Sequence, residues 1–381
     1  MKKIVVLLAS LIVISCLLAG CAQPTPTAAP TQAPVATEAP TAEPTAVPTP
    51  QPIIVTDALG RTVEFAELPQ RIVLAGKATT MLTGAFYLFP EALERVVSYE
   101  NRSQTSLNFI KTVFPTTESL TLLEKNASAE QIAPLNPDLV VMKTYMKKNL
   151  GDSLETIGIK VIYLDLETPE KFYADLMTIG MVLGNPDRSV ELVNLYNEKD
   201  SAIKSAAAGI LDADKPNVLV LEQSVDGDAV TFSVPPMDWL QTIMVQSAGG
   251  NPVWKETVTD GGWTMVTLEQ IAAWNPDQIF IVNYSGKAKD IVESLKADAN
   301  WQLLDAVKNE QLFAFPADFF SYDQPDPRWI LGEQWLASRI NPALFPSFNL
   351  VDEVKAFYQN FYGLDEAAIQ EKILPLLSGD Y

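Results

Sequence analysis

The phrase SAEQIAPLNPDLVVM (128–142) returns as TLEQIAAWNPDQIFIV (267–282), with Glu130 and Glu269 at the same place in each copy. A carboxylate in the first turn of a helix is favoured by the helix dipole and stays available to a partner. Other chemically useful residues follow short apolar runs. Lys77, Thr79 and Thr80 come after RIVLAG, Glu100, Asn101 and Arg102 after RVVSY, and Lys143, Thr144 and Tyr145 after DLVVM. Gln223 and Ser224 follow NVLVLE, Asn283 and Tyr284 follow QIFIV, and Ser321, Tyr322, Asp323 and Arg328 precede a late apolar stretch. Lysine, arginine and hydroxyl groups of this kind hold anionic oxygens through charge-assisted hydrogen bonds. Thr79 and Thr80 also open a helix, a natural position for an anion. The chain has no histidine, which removes Ser-His-Asp and Cys-His catalysis, imidazole metal sites and His-ligated haem. It carries no GxSxG, GxxxxGK[ST] or HExxH, and none of its 47 acidic residues stands out as a catalytic pair.

These residues need elements to hold them, and the chain supplies alternating strands and helices. IIVTDALGRTVEF (53–65) reads as a hairpin turning at Leu59-Gly60. Short core strands follow at 71–76, 95–100, 138–143 and 160–165, with TTMLTGAFYLF (79–89) as a helix between the first two. A second set lies at 217–223, 278–284 and 311–317. Between the sets, Thr168 and Pro169 start a helical region that Gly184-Asn185-Pro186 interrupts and that ends near Gly209. In the repeated phrase, Ser128 or Thr267 with Gln131 or Gln270 forms a capping-box pattern. Ile132 and Ile271 fall on the buried side, and Asn-Pro ends the helix before a core strand. The matched wording marks an internal repeat, one copy per lobe.

The N-terminus sets the compartment. MKK, an apolar run and Leu18-Ala19-Gly20-Cys21 form an export signal over residues 1–21, and its ending resembles the bacterial lipobox, which implies acylation at Cys21. Cys16 would be removed with the signal, leaving no disulfide. Residues 22–52 are a Pro-, Thr- and Ala-rich tether that cannot bury enough apolar area to fold. The net charge of −20 argues against nucleic acid. The reading divides the rest into a lobe at 53–168, a spine at 169–209, a lobe at 210–345 and a helical extension at 346–381 packed on the second lobe.

Taken in order, VTDALGRTVEFAELPQRIVLAG (55–76), the two EQIA…NPD phrases, SAGGNPVWKE (247–256) and SYDQPDPRWILGEQWLA (321–337) resemble one family. It is the extracytoplasmic substrate-binding proteins of ABC importers for ferric siderophores, haem and vitamin B12. The resemblance implies an α/β fold of two Rossmann-like lobes joined by one long spine helix, with the ligand in the cleft between them. It implies a lipid-anchored, extracytoplasmic monomer at the bacterial cell membrane that is not an enzyme and needs no cofactor or bound metal of its own. Its partners would be an ABC permease dimer with ATPase subunits, with Glu130 and Glu269 docking to the permease.

A ligand would sit beyond the carboxyl ends of the strands. The candidates are Lys77, Thr79, Thr80, Arg102, Lys143, Tyr145, Gln223, Ser224, Asn283, Tyr284, Tyr322 and Arg328, with Trp239, Trp254 and Trp263 in nearby loops. That group is basic and hydroxyl-rich, so an anionic ligand is expected: a ferric siderophore or an oxyanion such as molybdate. A bare ferric ion held by Tyr145, Tyr284 and Tyr322 is less favoured, and a corrinoid stays open. VDGDAVTFSVPPMDW (225–239) is expected to be an elaborated cleft loop. A carboxylate-based extracellular hydrolase is the remote alternative.

Overall fold

The computed structural model describes residues 52–381 apart from 105, 227–228 and 258–260. The export signal, Cys21 and all but the last residue of the tether lie outside the described residues.

Two sheets organise the molecule, and the apolar strands at their centres are those legible in the sequence. A hairpin of β1 (Ile53–Thr56) and β2 (Thr62–Phe65) precedes β3 (Ile72–Leu74), β4 (Val96–Tyr99), β5 (Leu139–Lys143) and β6 (Val161–Leu164). The last four form a parallel sheet in the order β4-β3-β5-β6. β5 is buried along its whole length. Leu139 and Val141 face the main core, while Val140 and Met142 face a smaller cluster with Ile132 and Tyr163. Burial on both faces explains why this strand shows no polar alternation.

The second sheet contains β7 (Asn217–Asp226), β8 (Ala229–Val234), β9 (Asn251–Pro252), β10 (Thr264–Val266), β11 (Gln278–Val282) and β12 (Leu312–Ala314). β7, β9, β11 and β12 are parallel, while β8 and β10 add an antiparallel edge. The stretch read as a cleft loop is therefore largely strand. Val230 to Val234 alternates larger apolar residues with Thr231 and Ser233, the pattern of a half-buried strand, and β8 pairs with β7 from Glu222↔Ser233 to Asp226↔Ala229.

The spine is two helices. Thr168 caps the first, Pro169–Leu183, which packs on β1 and whose Asp175 accepts the Asp165 and Leu166 backbone amides at 2.7 and 2.8 Å. Gly184 at φ +71 ends it, and Asn185 caps the second helix, Pro186–Ala207. Only this second helix crosses between the sheets, over about 33 Å. It starts against the first lobe, where Arg188 Nε donates to the Leu88 carbonyl at 3.2 Å, and later packs on helices Leu240–Ser247 and Trp329–Ile340.

The C-terminal extension forms helices Leu350–Tyr362 and Glu366–Lys372, and the first touches both lobes rather than the second alone. Tyr362 Oη donates to the Gly84 carbonyl at 3.1 Å, and its ring lies 5.3 Å from Phe109. One turn earlier on the same face, Tyr358 accepts from Arg328 Nε at 2.9 Å. Phe357, Tyr358, Phe361 and Tyr362 are all buried on one broad apolar stripe, which reaches residues of both lobes.

Candidate functional site

In both copies of the repeated phrase the helix start is a complete capping box, Ser128 with Gln131 and Thr267 with Gln270. Ile132 and Ile271 are fully buried, and Asn136 and Asn275 end their helical turns in the left-handed region, at φ +47 and +43. Each aspartate of NPD then ties its strand to a neighbour. Asp138 accepts the amides of Gln70 and Arg71 at 2.8 and 2.9 Å, and Asp277 accepts the amide of Asn217 at 2.7 Å. Capping, stopping and tying account for Ser/Thr, Gln, Asn and Asp. Glu130 and Glu269 are exposed and form no ion pair among the described residues. The Thr267 hydroxyl holds the Glu269 carboxyl below its ordinary value.

Between the sheets lies a hollow of about 460 Å³. The first lobe contributes Ala78 and Met81 after β3, Tyr145 after β5 and Glu167 after β6, and the second contributes Trp239, Leu240, Gln241, Gly261, Trp263, Tyr284, Gln324 and Pro325. Strand order reverses about β3, which opens a crevice at the carboxyl ends where ligands of open α/β sheets bind. Ala78 sits at φ +57, a conformation that costs a non-glycine residue energy and that clusters at binding sites. A reciprocal amide pair, Gln104 with Gln324 at 2.7 and 3.0 Å, joins the lobes beside this hollow. A larger hollow of about 660 Å³ is confined to the first lobe, and Lys77 and Glu130 line it.

Of the twelve ligand candidates, Tyr145 and Tyr284 line the inter-lobe hollow. Tyr145 is 49% exposed, and Tyr284 Oη donates to Asp323 at 2.9 Å. The basic candidates are placed differently. Arg102 pairs with Glu100 at 2.5 Å, and Lys143, fully buried, pairs with Glu167 at 2.6 Å. Arg328 is 0% exposed between Asp318 at 3.0 Å and Asp326 at 2.5 Å, over the ring of Phe109 at 4.0 Å. A cation removed from water requires a carboxylate and hydrogen bonds, and the fold supplies them. Lys77 is exposed on the first-lobe hollow.

Most neutral candidates are likewise engaged. Thr79 is buried and its hydroxyl donates to the Gly76 carbonyl, while the Thr80 carbonyl accepts from Thr83. Asn283 donates to Gln223 at 2.9 Å, Ser224 bonds Thr231 at 2.9 Å, and buried Tyr322 donates to Asp318 at 3.1 Å. Trp239 and Trp263 line the hollow, whereas Trp254 is fully buried and donates to the Pro235 carbonyl at 2.8 Å. Sequence reasoning passed over Glu167, Gln241 and Gln324. Glu167 follows a strand, so the rule that found Tyr145 reaches it too; no local pattern marks the other two.

The resulting site is aromatic. None of its described lining residues is lysine or arginine. Behind Tyr284, fully buried Asp323 also accepts from Gln241 at 3.0 Å, and burial pushes its carboxyl upward against these donors.

Comparison with known proteins places this architecture. Residues 101–319 match the family described as periplasmic binding protein. The molybdate-binding protein MolA of Haemophilus influenzae is 25% identical over 335 residues, which cover 81% of this chain and 90% of that protein. The uncharacterized ABC transporter substrate-binding lipoprotein YvrC of Bacillus subtilis is 25% identical over 91% of this chain and 99% of its own. A periplasmic solute binding protein from Veillonella parvula superposes with a TM-score of 0.68 at 24% identity, covering 85% of this chain and 97% of that one, a likeness of fold.

Proposed function

The chain belongs to the periplasmic binding protein family, and from that premise we propose that it is a lipid-anchored receptor of an ABC importer whose inter-lobe cleft carries a ferric hydroxamate chelate without net negative charge. The observation that carries the ligand class is the lining of the cleft, which offers Tyr145, Trp239, Trp263 and Tyr284 and, among its described residues, no lysine or arginine. Anionic oxygens are held by charged or N–H donors, which molybdate, ferric citrate or a tris-catecholate would not find here in number. Three hydroxamates cancel the charge of iron(III), and the apolar faces of such a chelate suit aromatic walls. The expectation of an anionic ligand rested on a basic, hydroxyl-rich group; the fold pairs Arg102, Lys143 and Arg328 internally, and Lys77 lines the first-lobe hollow rather than the cleft. A corrinoid is the second reading, favoured by the same aromatic walls.

Titration of the purified protein, followed by tryptophan fluorescence, tests this. Quenching by a ferric trihydroxamate at concentrations where molybdate and ferric citrate have no effect is the expected result. Saturable binding of either anion with no response to the hydroxamate would sink the proposal.

Docking of the loaded receptor falls to Glu130 and Glu269, one exposed carboxylate per lobe on matched helix starts. Their pseudo-symmetry suits a permease built from two related subunits. With transporter in vesicles, the double substitution Glu130→Arg and Glu269→Arg is expected to leave chelate affinity intact and remove stimulation of the ATPase. Undiminished stimulation would refute the docking role. Anchoring falls to Cys21, and Cys21→Ser is expected to move the protein from the membrane to the soluble fraction.

A further inference from the structure

We propose that the corner formed by Trp239, Trp263 and Tyr284 is a subsite for an alkylammonium group carried by the ligand, an inference that rests on the chelate reading above. The rings of Trp239 and Trp263 stand 5.9 Å apart at 88°, and those of Trp263 and Tyr284 stand 6.3 Å apart at 66°. Rings set at steep angles present a face and an edge to the same space, and a cation held over such faces is attracted by their quadrupoles. All three rings line the cleft and none is fully buried, so they form a wall rather than core packing.

The acidic group behind the Tyr284 side of the wall is Asp323. Asp323 is 0% exposed, its Oδ2 accepts from Tyr284 at 2.9 Å and from Gln241 at 3.0 Å, and its Oδ1 has no hydrogen-bond partner. Two donors to one oxygen favour the charged carboxylate against the burial that pushes it upward, and a cation held in the corner would favour it further. Glu167 on the lining is paired with fully buried Lys143 at 2.6 Å and adds no net charge. A neutral ligand makes no use of the Asp323 charge, and an anionic one is repelled by it. An ammonium in the aromatic corner is attracted by both the rings and the carboxylate.

Two probes separate the inference from the reading beneath it. One is a linear ferric trihydroxamate with a pendant primary amine, positively charged at neutral pH, and the other is its N-acetylated, neutral derivative. Calorimetric titration of the wild-type protein is expected to show the amine form binding about tenfold tighter, the range of a desolvated cation–π contact. In Asp323→Asn, a residue behind the wall, the preference is expected to fall to about twofold or less with affinity for the neutral derivative little changed, while Trp263→Leu is expected to weaken both probes and to lose the preference as well. Equal binding of the two probes by the wild type, which requires no variant to fold, would overturn the subsite and leave the chelate reading standing. An undiminished preference in both variants would overturn it too. Failure of both probes to bind would remove the chelate reading and the subsite together.

Discussion

Arg328 shows how far a residue's role depends on where the fold takes it. In the sequence it opens a late helix and invites an anion. In the structure it is held by Asp318, Asp326 and Tyr358, the last of them thirty residues further on. No spacing within SYDQPDPRW reveals that partner, so its structural role was not legible. Removing the guanidinium would leave two buried carboxylates unpaired, a loss of about 3–5 kcal/mol. Arg328→Met is therefore expected to lower the urea midpoint sharply while the folded fraction keeps its ligand affinity. Selective loss of affinity at unchanged stability would contradict the assignment. Glu333 is the opposite case, fully buried between helices with neither carboxyl oxygen in good hydrogen-bond geometry. Burial, with Asp200 nearby, pushes its carboxyl up to about 8, against Lys204 and the Ser247 hydroxyl. The unfolded chain ionises near the ordinary 4.5, so the stabilising effect of the folded-state proton is whole below that value and is lost as pH rises towards about 8. This one group lowers stability by about 1.4 kcal/mol per pH unit across that window. Glu333→Gln is expected to flatten the slope in urea unfolding measured from pH 5 to pH 8.

Elements were the most legible level. Apolar runs found the parallel strands except the two-residue β9, and Ser-x-x-Gln and Thr-x-x-Gln found both capped helices, because those signals are local. β8 was taken for a loop because its neighbours in the sequence, Gly227 and Asp228 before it and Pro235-Pro236 after it, read as loop. The strand-end rule reached Tyr145 and Tyr284, yet it could not separate a side chain that faces the cleft from one already engaged. The two-helix spine depends on one close approach. A Cβ built on Gly180 would lie 1.7 Å from Ser189 Oγ and 2.8 Å from the Asn185 carbonyl, so the backbone turn after the first helix leaves room only for glycine. Gly180→Ala is expected to cost about 2 kcal/mol in urea unfolding. A change of a few tenths would show that the junction adapts.

At the scale of the whole molecule, the crossing helix and helix Leu350–Tyr362 both tie one sheet to the other, and a single apolar core takes in residues of both. Neither lobe buries its apolar surface alone. Thermal unfolding is therefore expected to be one transition, with calorimetric and van't Hoff enthalpies in agreement. Two resolved transitions would mean that the lobes are separate folding units. The two-lobed outline followed from the repeated phrase, whereas the second tie did not, since an amphipathic tail does not announce which surfaces it covers.

That tie bears on the life of the chain before it is finished. A ribosome delivers Phe109 and Phe114 long before Tyr362, whose ring covers both. Until residues 350–362 emerge, the earlier-made half keeps an open aromatic wound and cannot close on its own. A polypeptide that must be threaded through a membrane in extended form gains from this delay, because the piece that locks it shut arrives long after the surface it covers.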